Sequence, residues 1–194
     1  MKIAILGWGS LVWNPGNLEI DMTVGQKGWF DDGPILSIEF ARISQDGRLT
    51  LVIDPEGKEV QVLYSISLLE ELDHAILNLA VREGCGKNMI GHFLKEDNEL
   101  FPSDFQFGQA IQHWIEANET IDAVIWTNLP SKLWYKNEDR SKIDVPKNGF
   151  IEYLRKMPPN KQVFAEEYIR KAPISVDTLI RNAIENEFGW TAIL

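Results

Sequence analysis

Two short stretches of the chain bring together residue types that can do chemistry. The first is Gly7-Trp8-Gly9-Ser10-Leu11, which follows the apolar run Ile3-Ala4-Ile5-Leu6. Glycine leaves no side chain over the peptide plane and tolerates positive φ, so a ligand can approach the backbone closely here. The amides from Trp8 to Leu11 can then face a cavity and hold a carboxylate or a carbonyl oxygen, with the Trp8 indole as a wall. The plainer alternative is a tight turn that only carries the chain out of a strand. The second stretch, LAVREGCGK at residues 79–87, sets Glu83 against Gly84 at the end of a helical pattern. A helix C-terminus disfavours negative charge, and partial burial adds to that effect. A glutamate so placed has its pKa raised towards the working range of a general acid–base. The plainer alternative here is a frayed surface glutamate.

Other chemistries fit less well. A dinucleotide-binding fingerprint needs a third glycine where Val12 stands, and a helix that Asn14-Pro15-Gly16 would end after one turn. It also needs a second strand that delivers an acid to a ribose, and none follows. Cys85 is a candidate nucleophile with His92 or His74 as base, but a lone cysteine is more often a small buried hydrophobe. His74, His92 and His113 lack metal-ligand spacing, so no metal site is expected. Arg42 either faces a substrate carboxylate or pairs at the surface with Glu39 or Asp54. Glu70-Glu71 reads as a capping, solvent-facing pair.

Composition narrows the classes further. The chain has 194 residues, enough for one well-cored domain. Its net charge is −10, and the seven acidic residues between His92 and Asp122 face Lys95 alone. No compact basic cluster is visible along the chain, so nucleic acid is not an expected partner. The single cysteine rules out a disulfide within the chain and suits a reducing compartment. No apolar run reaches the roughly 18 residues that cross a bilayer. Lys2 and the apolar stretch after it mimic a signal peptide, but Asn14-Pro15-Gly16-Asn17 offers no cleavage site. A cytoplasmic protein without membrane partners is expected.

The elements that must position the two stretches are legible in outline. Residues 3–6 read as a buried strand and residues 14–33 as a long loop. PILSIEFARI (34–43), LTLVID (49–54) and EVQVLYSI (59–66) read as strands of an antiparallel meander, joined by turns at Gln45–Arg48 and Pro55–Lys58. Ser67-Leu68-Leu69-Glu70 matches a capping box and predicts a helix from Ser67. Leu69, Leu72, Ile76 and Leu79 share its inner face, and Gly84 and Gly86 stop it. A second helix is expected over 105–118, with Ile111, Trp114 and Ile115 inward, and a strand over 121–127. Beyond Pro130 a polar loop precedes helical patterns at 146–157, 161–171 and 176–187, bounded by prolines. Strands early and helices late indicate an α+β class.

Taken together, the two stretches carry a resemblance. Gly7-Trp8-Gly9-Ser10-Leu11 after an N-terminal strand resembles the Tyr-Gly-Ser-Leu loop of the γ-glutamylcyclotransferase-like family. Arg82-Glu83-Gly84, after the intervening strands, looks like that family's catalytic glutamate followed by glycine. The resemblance covers roughly residues 1–130. It implies a small mixed β-barrel flanked by helices, here 1–130 of a single domain, with a helical C-terminal extension over 131–194. It also implies that Gly7, Trp8, Gly9, Ser10 and Leu11 bind substrate and that Glu83 acts as general acid–base. The α-amine of a γ-glutamyl group attacks its own γ-carbonyl, releasing 5-oxoproline and a free amine or amino acid, with no cofactor or metal. Trp8 stands where the family usually has tyrosine, and the tail after residue 130 exceeds the minimal family domain. The alternative is a barrel that binds a small γ-glutamyl-like or amino-acid ligand without turning it over.

Overall fold

The apolar run after Lys2 forms strand β1 (Ile3–Gly7), buried at every position. A strand buried on both faces reads as continuous hydrophobic sequence rather than alternation, and β1 is flanked on both edges. The computed structural model describes residues 1–136 and 139–193. Contacts divide the chain into two units, Met1–Leu36 with Gln61–Leu129, and Ser37–Val60 with Pro130–Leu194. Residues 37–60 thus group with the C-terminal segment.

In the first unit β1 pairs antiparallel with β5 (Leu63–Ile66) and parallel with β8 (Ala123–Thr127). The strands β6 (Ile90–Leu94) and β7 (Glu99–Phe101) complete a five-stranded sheet in the order β5-β1-β8-β6-β7. Helix α1 (Leu72–Glu83) packs on β8 and β6. Its Ala75, Ile76, Leu79 and Ala80 are buried with Ile3, Ile5, Leu11, Leu18, Ile20, Trp29, Ile90 and Ile125. Helix α2 (Gly108–Ala117) buries Ile111 and Ile115. Trp114 is only half-buried, and its indole N–H reaches the Asp32 carbonyl at 2.8 Å.

Two expectations for this unit are corrected. The helix does not start at Ser67. The Ser67 amide donates to the Ile3 carbonyl, and Ser67 bridges to Ile20, which hold it extended alongside the sheet. Its hydroxyl accepts only from the Leu69 amide, and α1 begins after Glu71 with no side-chain cap. The single strand expected over 59–66 is two strands, β4 (Lys58–Gln61) and β5, which belong to different sheets. Between them the Val62 amide donates to Pro34 and the Val62 carbonyl accepts from Gly33.

In the second unit β2 (Ile35–Ile43) lies between β3 (Leu49–Ile53) and β4, so the order is β3-β2-β4 and not a simple meander. The β2–β3 hairpin closes at Asp46-Gly47, as the sequence predicts, with Gly47 at φ 93°. The stretch expected to be a polar loop contains a short antiparallel ladder, β9 (Trp134–Lys136) with β10 (Lys142–Asp144). Helices α3 (Phe150–Arg155), α4 (Pro159–Lys171) and α5 (Leu179–Phe188) follow, in line with the three helical patterns. Their buried residues include Leu154, Ala165, Ile169 and Ile184, beside Phe40, Leu49 and Leu51 of the sheet. Arg181 is 2% exposed. Its guanidinium donates to the carbonyls of Pro173, Val176, Ile169 and Ala172, groups that the end of α4 and the loop after it leave without helical partners.

The class is therefore α+β, with a five-, a three- and a two-stranded sheet and five helices among the described residues. Among those residues no helix is long and apolar enough to cross a membrane. Arg181→Leu would strand the carbonyls of Ile169, Ala172 and Val176 in a dry environment, while that of Pro173 keeps the Val176 amide, and should destabilise the second unit by about 3 kcal/mol, read as a loss of urea resistance. A loss below about 1 kcal/mol would mean that water replaces the guanidinium at little cost.

Candidate functional site

The site is built where the loop after β1 meets the end of α1. Gly84 sits in the left-handed region at φ 62°, a conformation that costs a side chain little only in glycine. There the Cys85 amide reaches the Ala80 carbonyl and the Gly84 amide reaches Val81, the two bonds of a Schellman motif. This closure makes Glu83 the last helical residue and fixes its direction. Its neighbour Arg82 leans over the loop, with its side chain 14% exposed and that of Glu83 17%.

Arg82 is the residue that joins the two stretches. Its Nη1 donates to Glu83 Oε1 at 2.9 Å, and its Nη2 to Ser10 Oγ at 3.2 Å and to the Asn14 carbonyl at 2.6 Å. Its Nε donates to the Pro15 carbonyl at 3.2 Å. Ser10 and Glu83 are thus held on the two arms of one guanidinium. In the sequence Arg82 stands only as part of a motif, with no role assigned to it. No local signal marks it, because its loop partners lie more than sixty positions away in the chain.

The loop itself forms a single tight turn. Val12 donates to Gly9 and Asn14 to Ser10. The amides of Gly9, Ser10 and Leu11 find no acceptor among the described residues, although Gly9 and Leu11 are buried. Buried amides are nearly always paired, so three successive open donors form a ready seat for a carboxylate or an oxyanion.

The five loop residues do not contribute alike. Ser10 accepts from Arg82, and Leu11 puts its side chain into the hydrophobic core, which leaves its amide for a ligand. Trp8 is 6% exposed, so its indole is mostly packed rather than an open wall. Neither Gly7 nor Gly9 adopts positive φ. Gly7 has a packing reason to be glycine, since a Cβ there would lie 2.5 Å from the Trp29 ring.

Electrostatics set Glu83 apart. Burial pushes its carboxyl above the ordinary glutamate value, and the Arg82 guanidinium only partly reverses this. Burial, expected from the sequence beside the helix-end effect, is the largest cause. Two of the other candidate groups have partners of their own. His92 stacks on Phe101 and approaches Glu99 in the β6–β7 hairpin, and Arg42 donates to the Pro130 carbonyl in the other unit. Among the described residues no three His, Cys, Asp or Glu side chains are grouped to hold a metal ion.

Two outcomes follow from this geometry. Gly7→Ala should lower stability by about 1–3 kcal/mol through displacement of Trp29; unchanged thermal unfolding would show that the ring yields freely. For Glu83, a carboxyl that binds its proton more tightly in the folded state stabilises the fold below the ordinary glutamate pKa. That contribution is lost as pH rises through the raised value. The melting curves of the parent and Glu83→Gln should therefore coincide in acid and separate towards neutral pH, with the variant more stable. A variant less stable at neutral pH would mean that the ion pair with Arg82 outweighs burial. Compared with known proteins, the chain matches no family model, no curated protein and no solved structure, so the reading of this site rests on its geometry.

Proposed function

We propose that this site is the active centre of a γ-glutamylcyclotransferase-like enzyme, which releases 5-oxoproline from a γ-glutamyl amine or amino acid. One observation carries the reading: a single guanidinium ties the loop, with its three backbone donors that have no acceptor among the described residues, to a largely buried carboxyl whose pKa is raised by burial. The family's barrel arrangement, with the segment after residue 130 as its helical extension, belongs to this proposal, as does a cytoplasmic location. The parallel β1–β8 pairing within an otherwise antiparallel sheet supports a mixed-strand core of that kind.

In the proposed reaction the substrate supplies its own nucleophile. The α-amine nitrogen bonds to the γ-carbonyl carbon and the bond from that carbon to the leaving nitrogen breaks. Holding the γ-glutamyl chain folded makes the attack intramolecular, and proximity supplies much of the rate. Glu83 takes the proton that the attacking amine loses and hands it to the departing nitrogen, which leaves as a neutral amine. Its raised pKa suits both halves of that transfer. The amides of Gly9, Ser10 and Leu11 face the oxygen that gains charge as the carbonyl becomes tetrahedral. Arg82 is a positioning residue: it holds Glu83 on one arm and Ser10 on the other.

The test is a panel of γ-glutamyl amines and amino acids assayed for 5-oxoproline. Activity is expected with at least one, and Glu83→Gln should lower kcat at least about a hundredfold with KM little changed. Arg82→Lys keeps the charge but loses the fork, and should impair both parameters. Near-normal turnover in Glu83→Gln sinks the mechanism. A folded protein that binds a γ-glutamyl compound without releasing 5-oxoproline makes the site a binding module instead.

A further inference from the structure

The second unit contains a cavity of about 520 Å³ whose walls are unexpectedly basic. Arg42, Lys132, Lys136, Lys156 and Lys161 line it, beside Trp134, and none of its lining residues is acidic among those described. Five of the chain's 19 basic residues thus surround one concavity in a protein of net charge −10. The sequence shows no compact basic cluster because these residues come from β2, from β9 and the segment entering it, from the end of α3 and from α4. The fold makes the cluster. Its volume lies within the range of about 300–1,000 Å³ usual for small-molecule sites.

Two of the cations are held side by side by backbone pairing. Lys132 donates its amide to Ala41 at 2.9 Å and accepts from the Ile43 amide at 2.7 Å, a parallel bridge that fixes Lys132 beside Arg42. Its ammonium lies over the Trp134 ring, 4.3 Å from the centroid. Lys156 pairs with Glu152 at 3.1 Å. No carboxylate among the described residues lies within ion-pair distance of Lys132, Lys136 or Lys161. Burial, then Arg42, then Lys136 push the Lys132 ammonium below its ordinary pKa. Like charges fixed side by side repel, and a bound anion removes that cost.

We propose that this cavity binds a small molecule carrying two or more linked phosphates. Three ammonium groups without carboxylate partners among the described residues call for more than one negative charge. They converge from several elements, which suits the three-dimensional spread of phosphate oxygens better than the flat edge of a carboxylate, and a guanidinium fork matches phosphate geometry. The limited volume and the surrounding net negative charge favour a compact polyanion over an extended nucleic acid. The inference is independent of the Glu83 site, which lies in the other unit.

Isothermal titration calorimetry of the full chain tests it, with pyrophosphate, ATP, orthophosphate and citrate as probes at low salt. Pyrophosphate and ATP should bind at least about tenfold more tightly than orthophosphate and citrate, with affinity falling as salt rises. Lys132→Gln and Lys161→Gln should each weaken pyrophosphate binding about fivefold or more, while Lys87→Gln in the other unit leaves it unchanged. Lys161 is exposed, so its variant should fold as the parent does. ATP binding well above pyrophosphate would identify a nucleotide as the source of the phosphates, and equal binding an inorganic or sugar-linked diphosphate; either supports the site. No heat with pyrophosphate or ATP at millimolar concentration, citrate binding as tightly as pyrophosphate, affinities unmoved by both lysine variants, or a single-stranded oligonucleotide bound more tightly than ATP would each overturn it.

Discussion

The fork of a largely buried guanidinium is the constraint around which the candidate site is arranged. Arginine offers five N–H donors in a fixed plane and accepts nothing. Arg82 directs four of them to Glu83, Ser10, Asn14 and Pro15. Because the plane is rigid, satisfying it fixes the distance and angle between the loop after β1 and the end of α1. The loop can then keep three amides open without collapsing onto them. Glu83, held at 2.9 Å from a positive charge, remains in the buried position that raises its pKa.

The same device recurs in the second unit to a different end. Arg181 directs its donors to four carbonyls around the end of α4, and its Nε donates to the Glu185 carboxylate at 3.2 Å. There the guanidinium closes a helix end and spends its donors on backbone. Around Arg82 a carboxylate and three amides without acceptors among the described residues stand ready for a ligand. The contrast separates an arginine that closes a helix end from the one proposed to position chemistry: what matters is what the arginine leaves unsatisfied beside it.

Charge is distributed against the average of the chain. A net charge of −10 suggests an acidic surface throughout, yet the second unit collects five cations around one cavity. Backbone pairing between Lys132 and the Ala41–Ile43 segment is strong enough to hold two of them together. Net charge describes the field far from a protein, whereas a cavity is governed by the few groups that line it.

What the sequence determined by itself was local. Gly84 had to end α1, because only a residue at ease with positive φ closes that motif, and Glu83 was thereby placed at the helix end. Asp46-Gly47 had to turn, and the apolar run Ile3–Leu6 had to be a buried strand. The capping-box pattern at Ser67 failed because sheet pairing with Ile3 and Ile20 outweighed a local preference. Tertiary structure decided the rest: the role of Gly7 against Trp29, the joining of Ser10 to Glu83 through Arg82, and the gathering of Arg42 with lysines far along the chain. Hydrogen-bond and charge partners that lie far apart in sequence leave no periodicity or spacing to read. They become neighbours only when the burial of apolar faces folds the chain back on itself.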